Sequence, residues 1–344
     1  MKLYAGIDIS LEASSLCLVD ETGAIVKEAK VPSDTEALVA WFKALKPAPE
    51  RVGLEAGPLS QWLYAALKQA GFNAFLMETR HVHDAFASMP VKTDRKDARG
   101  IAQLMRLGWF KQVHCKSELS QEMRALLTGR GQVQSKLYDI EMSIRGILRG
   151  FGLKVGKTTP RTFEGRVREL STGNDKLTFV SEALLKARAA LQQQFGTLDR
   201  EARRIARDVP AVRLLMSTPG VGAVVGLTFV AAVDDPARIE KSRNVGALFG
   251  LTQRKYQSGE IDHSGRISKC GDASVRTALY EAANVILSRP IKGAGALRSW
   301  AMRIARRTGP KKAKVALARK LAVILHRMWR DGVPFDAAKA AHAS

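Results

Sequence analysis

A chain of 344 residues carries 55 Lys and Arg against 33 Asp and Glu, a net charge of +22, and 46% of it is hydrophobic. Such a chain can build two or three domains with real cores, and its charge selects a polyanionic partner, nucleic acid or an anionic membrane surface. No run of about 18 uninterrupted apolar residues exists, so no membrane span is expected, and Asp8 breaks any signal-peptide core. Cys17, Cys115 and Cys270 stand without a CxxC pair. That spacing argues against a disulfide framework or zinc ribbon and fits a reducing cytoplasm.

Residues 2–9 read as a strand ending in Ile7-Asp8-Ile9, residues 14–20 as a second strand, and residues 24–30, after the Glu21-Thr22-Gly23 turn, as a third. Ser33 or Asp34 caps a helix that runs to about Leu45. A short strand over 51–55, a helix over 60–70 and a strand over 72–77 follow. His81 and His83 form a lone HxH, which reads as a surface feature. A further helix starts near Asp94, with Ala98, Ile101, Leu104 and Met105 at helical spacing. The order βββαβαβα matches a ribonuclease-H-like sheet in an N-terminal α/β domain, residues 1–112.

That order places Asp8 and Glu55 at strand ends and Asp94 and Asp97 one turn apart on the last helix. Carboxylates gathered in this way repel, and a hard divalent ion with oxygen ligands relieves the repulsion. Two such ions flanking a phosphodiester activate the attacking oxygen and steady the leaving one. The stretch 90–99 also carries Lys92, Arg95, Lys96 and Arg99, which suit a polyanionic substrate.

Residues 113–208 form the helical middle. Leu119, Met123, Leu126, Val133, Leu137, Ile140, Ile144 and Ile147 follow heptad steps, and heptad spacing returns at Val180, Leu184, Ala187, Leu191, Leu198 and Ile205. Two such helices make an antiparallel hairpin or an intermolecular coiled coil, in either case a spacer. The segment 209–344 is expected to be mainly helical. In it Pro219-Gly220-Val221-Gly222 joins two helices as a helix-hairpin-helix, whose Gly220 and Gly222 let backbone N–H groups approach a phosphate. A polar, basic, glycine-punctuated loop between helices then carries Arg254, Lys255, Ser258, Arg266 and Lys269. No adjacent His or Asp marks Ser258 as an activated nucleophile, although a metal or a substrate phosphate could serve that role. From 298 to 330 Arg303, Arg306, Arg307, Lys311, Lys312, Lys314, Arg319, Lys320, Arg327 and Arg330 meet no acidic residue, and Leu317, Leu321, Ile324 and Met328 supply an apolar stripe. An unbroken positive run points to phosphate contact.

Across nearly its whole length the chain resembles the DEDD-type insertion-sequence transposases, which pair a RuvC-like N-terminal domain with a serine-bearing C-terminal domain. The resemblance rests on Gly6-Ile7-Asp8, Glu55, Lys92-Thr93-Asp94-Arg95-Lys96-Asp97-Ala98, Pro219-Gly220-Val221-Gly222, Phe249-Gly250-Leu251-Thr252, Tyr256-Gln257-Ser258-Gly259 and Arg266-Ile267-Ser268-Lys269. Where many members carry a threonine after the glutamate, this chain reads Glu55-Ala56-Gly57-Pro58. The resemblance implies that Asp8, Glu55, Asp94 and Asp97 bind Mg²⁺, and that Ser258 is the nucleophile, forming a phosphoserine link to DNA. It also implies that a non-coding guide (bridge) RNA pairs with donor and target DNA, and that the protein works as a homo-oligomer, a tetramer built of dimers, in the bacterial cytoplasm at the nucleoid. Three rival readings have distinct signatures. A metal-dependent nuclease of the junction-resolvase type would attack with water and survive loss of Ser258. An actin-like sugar kinase would turn over ATP. A non-enzymatic binder would cut no strand.

Overall fold

The computed structural model describes residues 2–87, 92–259 and 261–338. Pro90 and Val91, which open the charged stretch, lie outside the described residues. The chain divides into two compact units, Met1–Lys116 and Ser117–Ser344, so the helical middle shares a unit with the C-terminal segment.

In the first unit β1 (Leu3–Asp8), β2 (Ala13–Asp20) and β3 (Ile25–Pro32) form a meander, followed by α1 (Thr35–Lys43), β4 (Arg51–Glu55), α2 (Ser60–Gln69), β5 (Ala74–Met77), α3 (Thr79–Phe86) and α4 (Asp94–Leu107). The sheet order is β3-β2-β1-β4-β5, with β1–β2 and β2–β3 antiparallel and β1–β4 and β4–β5 parallel. This is the order and polarity of a ribonuclease-H-like sheet, and the expected element order agrees with it. The Asp34 side chain caps α1 by accepting from the Ala37 N–H at 2.7 Å. Helix α3 was not foreseen.

Side-chain alternation divides the sheet into two faces. Leu3, Ala5 and Ile7 of β1 and Val52 and Leu54 of β4 pack with Leu38 and Phe42 of α1 and Leu63 and Leu67 of α2. Tyr4, Cys17, Val19 and Met77 point the other way, onto Ala98, Ile101, Ala102 and Met105 of α4. Helix α4 lies close because β1 and β4 put glycines beneath it. A Cβ on Gly6 would overlap the carbonyl oxygen of Ala98 and the amide nitrogen of Ala102, and one on Gly53 would meet the Met105 side chain. Backbone atoms of a packed helix cannot step aside as a side-chain end can. Gly6→Ala is therefore expected to destabilise the first unit by about 3 kcal/mol or more, measured by urea denaturation; a loss below about 1 kcal/mol would contradict this packing.

Glu28 of β3 fastens the same helix to the sheet. It accepts from Arg95 and from Arg99, the latter through Nε at 2.6 Å and Nη2 at 3.0 Å. These guanidiniums hold the Glu28 carboxyl at about 2, far below its usual 4.5.

In the second unit two long helices, α5 (Glu118–Gly150) and α7 (Asp175–Asp208), flank the short α6 (Phe163–Ser171). Arg130 pairs with Asp199 at 2.7 Å and Glu141 with Arg188 at 2.8 Å. Contacts that climb one helix while descending the other make the two antiparallel. On α5, Met123, Ile144 and Leu148 are buried, while Leu119 is exposed. On α7 the buried stripe is Leu177, Ser181, Leu185, Arg188, Ala202 and Ala206. Val180 is 40% exposed and Ala187 also faces solvent, so the α7 seam runs one residue off the expected one. Arg188, at 2% exposure, fills a core position by ion-pairing with Glu141, donating to the Pro160 carbonyl and lying over the Phe163 ring.

Helices α8 (Pro210–Met216), α9 (Ala223–Val233) and α10 (Val245–Leu248), the hairpin β6 (Gln253–Ser258) and β7 (Ile261–Ile267), and α11 (Ala273–Ser288), α12 (Gly295–Thr308) and α13 (Pro310–Asp331) complete the unit. Asp234, at φ 69°, accepts from the Ser117 N–H and the Ser120 hydroxyl, tying the end of α9 to the start of α5. Leu317, Leu321, Ile324 and Met328 of α13 are buried with α9 and α11 in one core, as expected. The segment expected as a loop around Ser258 is instead a two-stranded antiparallel hairpin.

Candidate functional site

The alternation that puts Tyr4 and Gly6 under α4 puts Asp8 on the same face, and the alternation of β4 does the same for Glu55, two residues after Gly53. Ile7 pairs with Leu54 in the parallel register. Asp8 and Glu55 therefore end neighbouring strands side by side, about 5 Å apart in backbone spacing. Helix α4 begins over this edge. Its N-cap is Thr93, whose Oγ1 accepts from the Lys96 N–H at 3.3 Å. Asp94 and Asp97 are thus first-turn residues with carboxylates free of capping duty.

The electrostatics register this convergence. Burial, then Asp97, Asp94 and Glu55, push the Asp8 carboxyl up from 3.8 to about 6, while Lys92 opposes the rise. Burial also raises Glu55, against Lys92, a hydrogen bond from Thr79 and nearby His83. Lys92 Nζ lies 4.0 Å from Asp97 Oδ2. All four carboxylates expected from the sequence lie within electrostatic reach of one another's neighbourhood at one sheet edge. Among the described residues no three His, Cys, Asp or Glu side chains are drawn close enough to hold one ion. The donor set nevertheless fits a hard divalent cation: the donors are oxygens, and such an ion would compensate both the burial and the neighbouring negative charges that raise Asp8.

Thr79 and His83 are members of this neighbourhood that the sequence reading did not assign. Both sit on α3, which leaves β5 beside Glu55, and the Thr79 hydroxyl also donates to the Ala56 carbonyl at 2.9 Å. Their position directly after β5, a strand of the sheet that carries Asp8 and Glu55, was the available signal. His81, the other half of the HxH, packs edge-on against Trp109 with centroids 5.1 Å apart, and its buried Nε2 has no hydrogen-bond partner among the described residues.

Ser258 ends β6, whose six residues are all exposed. It pairs with Ile261 across a turn entered by Gly259 at φ 57°. The hairpin places the hydroxyl at an exposed tip. Lys255 is paired with Asp262 at 3.2 Å, and Arg254 donates to the Ser268 carbonyl at 3.3 Å.

Residues 5–152 match the DEDD transposase model of IS110-type elements, and residues 212–305 match the transposase IS116/IS110/IS902 family. The chain belongs to this family of insertion-sequence transposases. It is 28% identical over 326 residues to the transposase for insertion sequence element IS1111A of Coxiella burnetii, covering 93% of this chain and 87% of that one. It is 25% identical over 292 residues to the transposase for IS1328 of Yersinia enterocolitica, covering 83% and 85%. The RuvC structure of Thermus thermophilus aligns with 32% of this chain and 99% of its own, at 17% identity and a TM-score of 0.26.

Among the described residues, the second unit of the transposase displays a set of exposed cations. Arg266 and Lys269 are exposed beside the hairpin, and Arg306 and Arg307 close α12 while Lys311 and Lys312 open α13. Lys320 departs from the expected basic face: it is buried, with Nζ 4.7 Å from the Trp300 ring centroid. Arg330 pairs with Asp331 at 2.8 Å. The turn between α8 and α9 uses its two glycines differently. Gly220, at φ 81°, lets the backbone close on Ala282 and Ile286 of α11, whereas a Cβ on Gly222 would meet open space at the N-terminus of α9. In the first unit Lys92 and Lys96 are exposed, and Arg95 is engaged by Glu28. No described helix is long and apolar enough to cross a membrane.

Proposed function

We propose that this transposase is an RNA-guided recombinase that cuts and exchanges DNA strands through a phosphoserine intermediate, with Mg²⁺ held by Asp8, Glu55, Asp94 and Asp97. The observation that supports the metal reading is Asp8 at the sheet edge, pushed up to about 6 by burial and by the charges of Asp97, Asp94 and Glu55. When bound, the ion supplies Lewis-acid polarisation of the phosphate and neutralises charge on its oxygens. Ser258 supplies the nucleophile. Its Oγ bonds to phosphorus as the bond to one sugar oxygen breaks, its proton leaves to solvent, and the departing sugar oxygen takes up a proton. Attack by the hydroxyl of the incoming strand reverses these steps and frees the serine.

The remaining residues bind and orient. Arg254, Lys255, Arg266 and Lys269 surround the serine hairpin with positive charge. Arg306, Arg307, Lys311 and Lys312 extend it, and Gly222 at the head of α9 offers backbone N–H groups to a phosphate, with Gly220 shaping the turn. Lys92, Arg95 and Lys96 flank the carboxylates. The antiparallel pair α5–α7 spaces the subunits of a homo-oligomer, and donor and target DNA are selected by the guide RNA. Purification from a host carrying the whole element, followed by sequencing of the bound RNA, is expected to yield one discrete RNA from the element's flank. Recovery of bulk host RNA alone would contradict RNA guidance. The alternative, a nuclease attacking with water, keeps the carboxylates and dispenses with Ser258.

A further inference from the structure

The run from Lys92 to Arg99 carries four cations, and the structure gives them different work. Arg95 and Arg99 are both hydrogen-bonded to Glu28, which fixes α4 on β3. Lys92 takes no part in that clamp. Its Nζ lies 4.0 Å from Asp97 Oδ2, at the outer limit of an ion pair, and its side chain is 86% exposed while that of Asp97 is 13% exposed. A compact ammonium on a flexible four-carbon stem can leave such a contact at little cost, which a guanidinium held by two hydrogen bonds cannot. Lys92 also favours the charged forms of Asp8 and Glu55, so its charge is felt by the set and not by Asp97 alone.

We propose that Lys92 is the resident counter-cation of the carboxylate cluster: its ammonium stands at the cluster while no divalent ion is bound, gives way when one arrives, and then contacts a nucleic-acid phosphate. This rests on reading the four carboxylates as a divalent-cation site. Metal uptake is then a cation exchange, and arrival of the ion turns an internal ion pair into a substrate contact.

The test is calorimetric titration of the full-length protein, without nucleic acid, with Mg²⁺ and separately with Mn²⁺. Lys92→Met and Lys92→Gln should each bind the ion about five-fold more tightly than wild type, the size of one unit charge removed from 4 Å in a water-like medium. Lys92→Arg, which keeps the charge, should stay close to wild type. The metal-free thermal midpoint should fall in both neutral variants. With the ion present, the slope of log affinity for duplex DNA against log salt should shrink by about one in those variants. Unchanged or weaker metal binding by the neutral variants would overturn the counter-cation role, and an unchanged salt slope would overturn the phosphate contact. A wild-type protein that binds neither ion would instead overturn the carboxylate reading itself.

Discussion

Ser258→Ala is expected to abolish strand exchange, by a thousand-fold or more on the scale of nucleophile removal, and to leave no protein–DNA adduct on a denaturing gel. The fold should be untouched. Every residue of β6 is exposed and Ser258 has no packing to lose, so the thermal midpoint of the variant should match wild type. This separation of activity from stability makes the result decisive. Retained cleavage without an adduct would identify water as the attacking group and favour the nuclease alternative. Retained adduct would place the nucleophile elsewhere. Ser258→Cys tests the same oxygen from another side. A thiolate attacks phosphorus poorly, so exchange should be strongly reduced while DNA binding persists.

The N-terminal sheet was legible because its strands follow physical rules that local sequence obeys. β1, β2 and β4 alternate or run apolar, turns carry Gly or Asp, and the buried positions of α4 recur at helical spacing. Asp8 and Glu55 stood out as charges at the ends of apolar runs. Their common face was not announced by any motif; it follows from the Gly6 and Gly53 positions, which alternation links to Asp8 and Glu55 and which α4 covers. The serine hairpin stayed hidden for the opposite reason. An exposed strand has no apolar face to alternate, so Gln253–Ser258 carries no period of two. Helix α3 has one buried residue, Val82, in eight, too few to display a stripe. The α7 seam went astray at Arg188, since pattern reading assigns a charged residue to solvent, whereas Glu141, the Pro160 carbonyl and the Phe163 ring make its burial affordable.

The carboxylate cluster leads to the other large effect: Asp8→Asn should remove activity while making the metal-free protein more stable at neutral pH. The folded protein holds the Asp8 proton up to about 6, against 3.8 for an unperturbed aspartate. Between those values the native state binds a proton that the unfolded state has released, so stability falls as pH rises and stays depressed above about 6. A shift of this size corresponds to at most about 3 kcal/mol, and partial solvation of the edge will reduce it. Asparagine carries no charge to be desolvated by burial or repelled by Asp97, Asp94 and Glu55, so the variant should gain about 1–3 kcal/mol over wild type at neutral pH. Below 3.8, where Asp8 is protonated in both states, that gain should vanish. Chelator-treated protein unfolded in urea across this range measures both limits. Adding Mg²⁺ should reverse the ranking, because the ion stabilises only a native state that retains its ligands. A variant less stable than wild type at neutral pH without metal would mean that the Asp8 charge is held by favourable contacts, and the burial and repulsion on which the metal reading stands would be absent.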